Sequence, residues 1–161
     1  MMSKPVQVGV RCHIETNNRA HLPEFVRLNE LWIAEHFSIE QADRDLAANP
    51  AAVIERGGFV FSLVCDGQVV GVCALFKETD ERFQLARMAV RPDMRGRGLG
   101  RMLIEHALDH AKKIGAKSLY LLSNTVLAPA IALYESVGFQ VTSRCQHPVY
   151  TRCNVIMERT L

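Results

Sequence analysis

The chain has 161 residues and a formal net charge of +2, and 48% of its residues are hydrophobic. This length and composition predict one soluble globular domain over residues 1–161 and argue against a disordered chain. The small net charge gives no reason to expect a nucleic-acid or membrane partner. Residues 1–5 are followed by no apolar run typical of a signal peptide, and the five cysteines include no C-x-x-C pair, so we expect a cytoplasmic protein with reduced thiols.

The N-terminal part predicts one strand and then helices. Apolar residues alternate at Val6, Val8, Val10 and Cys12, which predicts the first strand. A helix opens at Pro23, and residues 38–41 have the form of a capping box for a second helix. The helical spacing of the first helix comes from Phe25, Leu28, Leu31, Trp32 and Phe37. A short third turn follows Asn49-Pro50 and stops at Gly57-Gly58.

Two apolar, β-rich runs, residues 59–65 and 68–76, flank Asp66-Gly67, a two-residue hairpin signal. The simplest register places Cys65 opposite Gln68 and Val60 opposite Cys73. Cys65 and Cys73 are therefore not expected to form a disulfide.

The C-terminal half predicts a parallel crossover and a closing pair of strands. A strand over residues 83–90 ends before Pro92, and a helix runs from near Gly98 to Ile114, capped by Gly115. A short strand follows at 118–122, so the two strands are joined by a helix and should be parallel. Another helix spans 129–138, and residues 139–145 and 153–158 predict an antiparallel pair.

The turn between the strand and the helix has the chemistry of a phosphate site. Free backbone N–H groups at a helix N-terminus attract anions, and glycines leave those groups uncovered. The arginines around it are Arg91, Arg95, Arg97 and Arg101. No Lys-Ser or Lys-Thr follows Gly100, as a P-loop needs, and the glycine spacing does not fit the dinucleotide fingerprint. A surface turn rich in Gly and Arg is the simpler alternative.

The pattern Arg95-x-x-Gly98-x-Gly100 after a strand resembles the acetyl-CoA pyrophosphate loop of the GNAT N-acetyltransferase superfamily. Residues 124–139 resemble the second signature of that superfamily through Asn124, Ala130, Tyr134 and Gly138-Phe139. The resemblance covers nearly the whole chain. It implies an α/β (α+β) fold with a mixed, partly splayed seven-stranded sheet flanked by helices, in the order β-α-α-β-β-β-α-β-α-β-β.

The resemblance also implies the binding site. Acetyl-CoA, as co-substrate, would lie where the sheet splays, with its pantetheine amides paired to the backbone of Met88, Ala89 and Val90. The pyrophosphate would meet backbone amides of the following residues: Arg95, Gly96, Arg97, Gly98, Leu99, Gly100 and Arg101. Asn124 would bond near the pantetheine arm, small Ala130 would let it pass, and Tyr134 would lie beside the sulfur. No metal is expected, because His106 and His110 lack further ligands.

The implied reaction is direct transfer of acetyl to a primary amine in a ternary complex, with Tyr134 protonating the leaving thiolate. Relatives often carry a glutamate as base on the motif strand, but Gln84 stands there. Glu78, Asp80 and Glu81 could act through water, or the amine could have a low pKa.

Gln84 also favours an alternative, an acyl-CoA-binding regulatory module with weak or no catalysis. Trp32 could line the acceptor pocket or belong to the core. Arg152 and Asn154 could reach an acceptor carboxylate or form surface contacts. The acceptor, the acyl-chain preference and the oligomeric state stay open, a homodimer being one option.

Overall fold

A computed structural model describes residues 11–161 of the chain and shows a seven-stranded mixed sheet with helices on both faces. The strands are β1 (Cys12–Thr16), β2 (Phe59–Cys65), β3 (Gln68–Lys77), β4 (Arg82–Val90), β5 (Ser118–Ser123), β6 (Gln140–Ser143) and β7 (Val155–Thr160). The helices are α1 (Leu22–His36), α2 (Gln41–Ala48), α3 (Ala52–Glu55), α4 (Leu99–Lys113) and α5 (Ala128–Ser136). Short 3-10 helices span Arg19–His21 and Pro92–Met94. The predicted fold class is confirmed.

The strands lie in the order β1-β2-β3-β4-β5-β7-β6, and β4 and β5 are the one parallel pair among them. Helix α4 makes the crossover between these two strands, as predicted. Its residues Leu103, Ala107 and Ala111 recur at helical spacing and are fully buried against the sheet. Within residues 11–161, no helix is both long enough and apolar enough to cross a membrane.

Two apolar clusters cover the two faces of the sheet. On one face, α1 and α3 pack on Val60, Val72 and Ala74, with Phe76 at the edge. On the other face, α4 packs on Phe61 and Leu75, with residues of α5 alongside. Gln84 lies directly opposite Phe76 in the β3–β4 register, so its side chain is on the α1 face.

The N-terminal elements differ in detail from prediction. Val6, Val8 and Val10 lie outside the described residues, and β1 begins only at Cys12. The second helix is capped two residues later than predicted: Glu40 is its N-cap and Asp43 completes the capping box. The Asp43 carboxylate accepts a hydrogen bond from the Glu40 backbone N–H at 2.8 Å. Any side chain that reaches the free N–H groups can cap, so a Ser-x-x-Gln pattern does not fix the start.

The β2–β3 hairpin forms at Asp66-Gly67 as predicted, and Cys65 lies opposite Gln68. Farther from the turn the predicted register is wrong by one residue. Phe61, and not Val60, lies opposite Cys73, because the register shifts between Leu63 and Val64. A bulge adds one residue to one strand and displaces every later pair.

The expectation of reduced thiols throughout is wrong for one pair of cysteines. Cys12 and Cys65 lie opposite each other in the β1–β2 register and form a disulfide. The loop this bond closes is 53 residues long in sequence, so the pairing follows from the sheet register and not from sequence spacing. Cys73, Cys145 and Cys153 are free thiols, and Cys73 and Cys153 are buried.

Candidate active site

The predicted splay of the sheet lies between β4 and β5. The two strands pair only from Arg82–Ser118 to Gln84–Tyr120, although both continue beyond that point. Past Gln84, the β4 edge that faces β5 has no strand partner within residues 11–161, and its free N–H and C=O groups can pair with an extended ligand. A cleft of about 820 Å³, partly open to solvent, follows this gap and is lined by residues 84–88 and 121–124.

A bulge in β4 shapes this edge. Arg87 and Met88 both stand opposite Cys73, and Arg87 has a φ of 59°. That left-handed conformation is strained for a residue with a β-carbon, by about 1–2 kcal/mol. Buried Asn29 of α1 holds it: its Nδ2 donates to the carbonyl oxygens of Arg87 at 3.0 Å and of Phe25 at 2.9 Å.

The turn after β4 presents free amides at the N-terminus of α4. Gly96 and Gly98 both have φ of 77°, and no atom lies within 4 Å of a Cβ added to either. Within the part of the chain described here, no group accepts a hydrogen bond from the N–H groups of residues 96–101. The first turn of α4 contains no acidic residue. These amides and the positive helix end give the turn, next to the cleft, the geometry and charge that an anion site requires.

Of the predicted arginines, three are engaged with neighbouring side chains. Arg95 pairs with Glu35 of α1 through two hydrogen bonds of 2.8 and 2.9 Å. Arg101 Nη2 donates to Ser136 Oγ of α5 at 2.7 Å, and Arg91 Nε donates to Asp93 Oδ1. The side-chain charges of Arg91 and Arg95 are thus partly compensated, whereas the backbone amides of the turn have no acceptor among the described residues.

Tyr134 of α5 lines the cleft from the β5 side. Its hydroxyl has no hydrogen-bond partner among the described residues, so it is available to a ligand. Burial raises the pKa of Tyr134 to about 12, with smaller contributions from Cys73 and Cys153. The phenol is therefore protonated at neutral pH and can donate a hydrogen bond or a proton.

Only some of the other residues predicted to contact acetyl-CoA line the cleft. Met88 and Asn124 line the cleft with Tyr134, whereas Ala130 is not among its lining residues. Asn124 already bonds to protein: its Nδ2 donates to the Arg152 carbonyl at 2.7 Å, and its Oδ1 accepts from the Val126 N–H at 2.9 Å. The side chain of Ala89 is buried in the core, so only its backbone can meet a ligand.

Two cysteines with free thiols, Cys73 and Cys153, lie near Tyr134. Burial raises the pKa of the Cys73 thiol to about 12 and also raises that of Cys153, which lines the cleft. A thiol with a raised pKa is a poor nucleophile at neutral pH. The arrangement therefore favours direct transfer over a covalent enzyme intermediate.

Gln84 occupies the position on β4 where a catalytic base is expected. The Tyr120 hydroxyl donates to Glu78 Oε1 at 2.8 Å and lies 3.2 Å from Gln84 Oε1. Burial, together with the charge and hydrogen bond of Glu78, raises the pKa of Tyr120, so this phenol does not ionise at neutral pH. Lys77 pairs with Asp80 and Lys117 with Glu81. Of these three carboxylates, Glu78 is the one linked to the cleft.

A buried ionic cluster, missed at the sequence level, closes the opposite wall. The Asp43 side chain is 1% exposed and binds Arg87 Nη1 at 2.8 Å and Arg152 Nη1 and Nη2 at 2.6 and 2.7 Å. Arg152 also contacts Glu40 at 3.1 Å. Burial tends to raise the pKa of Asp43, but the bonds from Arg152 and the Glu40 amide and the charge of Arg87 hold it below its usual range.

Tyr150 completes this wall. Its hydroxyl accepts a hydrogen bond from Arg87 Nη2 at 2.9 Å, and the Arg152 guanidinium lies 4.9 Å from its ring centroid. The cluster joins α2 to the β6–β7 connection, and the residues it links are more than a hundred positions apart in the sequence. No local sequence pattern therefore predicts these ion pairs. Trp32 is half-buried, packs against the core of the α1 face and lines the cleft. Its place in an acceptor pocket stays a prediction.

His106 and His110 pack edge-on against Phe59 and Phe61. Burial lowers the pKa of both imidazoles. Among residues 11–161 no cluster of three or more His, Cys, Asp or Glu side chains is arranged to hold a metal ion.

The splayed strand, the amide-rich turn and the half-buried tyrosine define a class of protein that binds an acyl-CoA across an open sheet. A family model described as "Acetyltransferase (GNAT) family" matches residues 25–139. The chain therefore belongs to the GNAT acetyltransferase family, in which acetyl-CoA is the co-substrate.

Among relatives, the chain is 39% identical over 75 residues to the streptothricin acetyltransferase of Streptomyces lavendulae, covering 46% of this chain and 40% of the relative. It is 40% identical over 79 residues to the ribosomal protein bS18-alanine N-acetyltransferase of Escherichia coli K12, covering 49% and 53% of the two chains. The chain thus spans about half the length of the curated relatives it matches, or less.

Solved structures match over nearly the whole fold. The Escherichia coli ribosomal-protein-S18-alanine N-acetyltransferase has a TM-score of 0.74 and 28% identity over 93% of this chain and 94% of that one. The PaiA N-acetyltransferase of Thermoplasma acidophilum, solved in complex with coenzyme A, has a TM-score of 0.74 at 17% identity, covering 94% and 99% of the two chains. The second likeness concerns the fold alone.

Proposed function

We propose that the chain transfers an acetyl group from acetyl-CoA to a primary amine by direct attack in a ternary complex. The observation that carries this proposal is the unpaired β4 edge beyond Gln84, which leads from the free amides of the turn to the Tyr134 hydroxyl. Main-chain groups of Met88 to Val90 pair with the pantetheine amides, and the amides of residues 95–101 bind the pyrophosphate.

Tyr134 supplies the proton to the leaving thiolate. In water a phenol is a weaker acid than a thiol, whose pKa is about 8.5. Burial raises the pKa of Tyr134 to about 12, and it also disfavours a CoA thiolate bound beside it, so burial weakens the acid and strengthens the base. The phenol acts as a weak acid that donates its hydrogen bond, and then its proton, to the sulfur as the thiolate forms.

The acceptor binds as the neutral amine, with Gln84 accepting a hydrogen bond from it rather than a proton. Gln84 Oε1 lies at the cleft, whereas Glu78 reaches it only through Tyr120. Arg87 and Arg152 line the same cleft, but Asp43 and Glu40 balance their charge, so selection of the neutral amine rests on Gln84.

The test is release of free thiol from acetyl-CoA with a panel of amines, run beside CoA binding measured by calorimetry. We expect thiol release with at least one amine class and a bound stoichiometry of one. CoA binding without thiol release from any amine would contradict catalysis and favour the acyl-CoA-binding regulatory module suggested by Gln84.

A further inference from the structure

A second cavity adjoins the cleft on the α1 face of the sheet. This cavity has a volume of about 980 Å³ and is partly open to solvent. Most of its lining residues belong to α2, α3 and the end of β3. Phe76, Arg87 and Tyr150 line both spaces. A molecule held in this cavity therefore reaches the cleft past these three side chains, on the same face as Gln84.

Building on the proposed acetyl transfer, we propose that this cavity binds the acceptor, and that the acceptor is an amine carrying a carboxylate, of amino-acid type. The carboxylate is held at Arg87 and Tyr150, and the rest of the molecule extends toward α2 and α3. Polyamines and other polycations are excluded by the same wall.

The shared wall offers donors that the protein does not use up. The Arg87 side chain is only 7% exposed, with Nη1 bound to Asp43 and Nη2 to the Tyr150 hydroxyl. A guanidinium carries five N–H donors, so Arg87 retains donors for a ligand. Because the Tyr150 hydroxyl accepts from Arg87, its own hydrogen is free to be donated. Two adjacent donors, one of them charged, suit a carboxylate.

The charged side chains that line the second cavity and the cleft also favour an acceptor that carries a carboxylate. The second cavity is lined by three cationic side chains, Arg56, Lys77 and Arg87, and by one carboxylate, Asp45. Lys77 is paired with Asp80 and Arg87 with Asp43, so Arg56 is the cation of this lining that has no carboxylate partner among the described residues. Asp45 is exposed and accepts a hydrogen bond from Gln41 Nε2 at 2.8 Å. Among the residues that the structure describes, no Asp or Glu lines the cleft itself. A polyamine would bring like charge to this path, whereas a carboxylate brings the opposite charge.

The first experiment compares matched acceptors with the wild-type protein at pH 7. Thiol release from acetyl-CoA is measured with L-amino acids, with the carboxamide of each, and with spermidine. We expect kcat/KM for the best amino acid to exceed that of its carboxamide and of spermidine at least tenfold. The carboxamide has the larger fraction of neutral amine, because a carboxylate raises the pKa of a neighbouring ammonium, so this preference cannot come from amine basicity.

The second experiment removes single donors. The ratio of kcat/KM for the amino acid to kcat/KM for its carboxamide measures the preference. We expect Y150F to lower this ratio about fivefold and R56Q to lower it about threefold. Arg44 lies on α2 and lines neither cavity, so R44Q is the matched charge control and should leave the preference unchanged. KM for acetyl-CoA is recorded for each variant, since an acceptor-site change should leave it within twofold.

Equal or greater activity with the carboxamides or spermidine would overturn the inference while still establishing acetyl transfer. An unchanged preference in Y150F would overturn the assignment of the carboxylate to this wall. If no amine releases thiol although CoA binds, the proposed function itself fails, and the inference fails with it.

Discussion

Replacing Tyr134 with Phe removes one hydroxyl from the cleft and keeps the ring, which packs at 67° to Phe139 with 6.3 Å between ring centroids. Because the hydroxyl has no partner among the described residues, its loss should change the free energy of unfolding by less than about 0.5 kcal/mol. The variant therefore separates chemistry from folding. We expect the binding constant for CoA to stay within threefold of wild type, because most contacts come from β4 and the turn.

A positioned general acid contributes roughly 10²–10⁴-fold to a rate. Because burial raises the pKa of Tyr134 to about 12, the phenol is a weak acid, which places the effect at the lower end of this range. We therefore expect kcat to fall about 100-fold, or about 2.7 kcal/mol in activation free energy. The assay is initial-rate thiol release with saturating acetyl-CoA and the best amine. A kcat within threefold of wild type would refute the role given to Tyr134.

The dependence of kcat on pH tests the protonation state of Tyr134. Tyr134 acts in its protonated form, and burial raises its pKa to about 12. In wild type, kcat should therefore show no decline between pH 8 and about pH 10.5. A phenol with an ordinary pKa of about 10 would lose its proton in that range and lower the rate. A decline centred near pH 10 that is absent from Y134F would contradict the buried environment described for this hydroxyl.

Three further predictions concern other parts of the site. Q84E should raise kcat/KM at pH 7 at least threefold, because a carboxylate near Glu78 has a raised pKa and acts as a base; an unchanged rate would show that deprotonation is not limiting. D43N should lower the free energy of unfolding by about 3 kcal/mol in urea titrations, with exposed D45N as control, because two buried guanidiniums lose their partner. The pKa of Asp43 is held below its usual range, so this stabilisation is present at neutral pH and is lost as pH falls below about 4. G98A should weaken CoA binding at least tenfold by placing a methyl group over the free amides, whereas G67A, with a similar φ of 80° and open space, should leave it unchanged.

Most of the fold could be predicted because its signals are local. Helical spacing in α4, the Asp66-Gly67 turn and the glycines that end helices each act within a few residues. The exceptions depend on contacts distant in sequence. The bulge at Arg87 needs Asn29, 58 residues away, and the Cys12–Cys65 disulfide follows from the β1–β2 register.

The geometry of the candidate site is most predictable where backbone groups form it. The glycine turn and Tyr134 lie where the two signatures imply, beside a strand edge that the sheet leaves unpaired. The acceptor side was not predictable, because Asp43, Arg87 and Arg152 lie on three separate elements and have ordinary sequence neighbours. The sequence predicts Arg152 only as one of two residues able to reach an acceptor carboxylate. In the structure it binds Asp43 and lines the cleft, and Arg87 and Tyr150 are the better candidates.

The central claim is that CoA lies between β4 and β5, with its pyrophosphate on the amides of the turn. A crystal structure of the protein with CoA tests it most directly. We predict pyrophosphate oxygens about 3 Å from backbone nitrogens of residues 96–101 and the sulfur within about 3.5 Å of the Tyr134 hydroxyl. CoA bound elsewhere, or a sulfur beyond reach of Tyr134, would contradict the account.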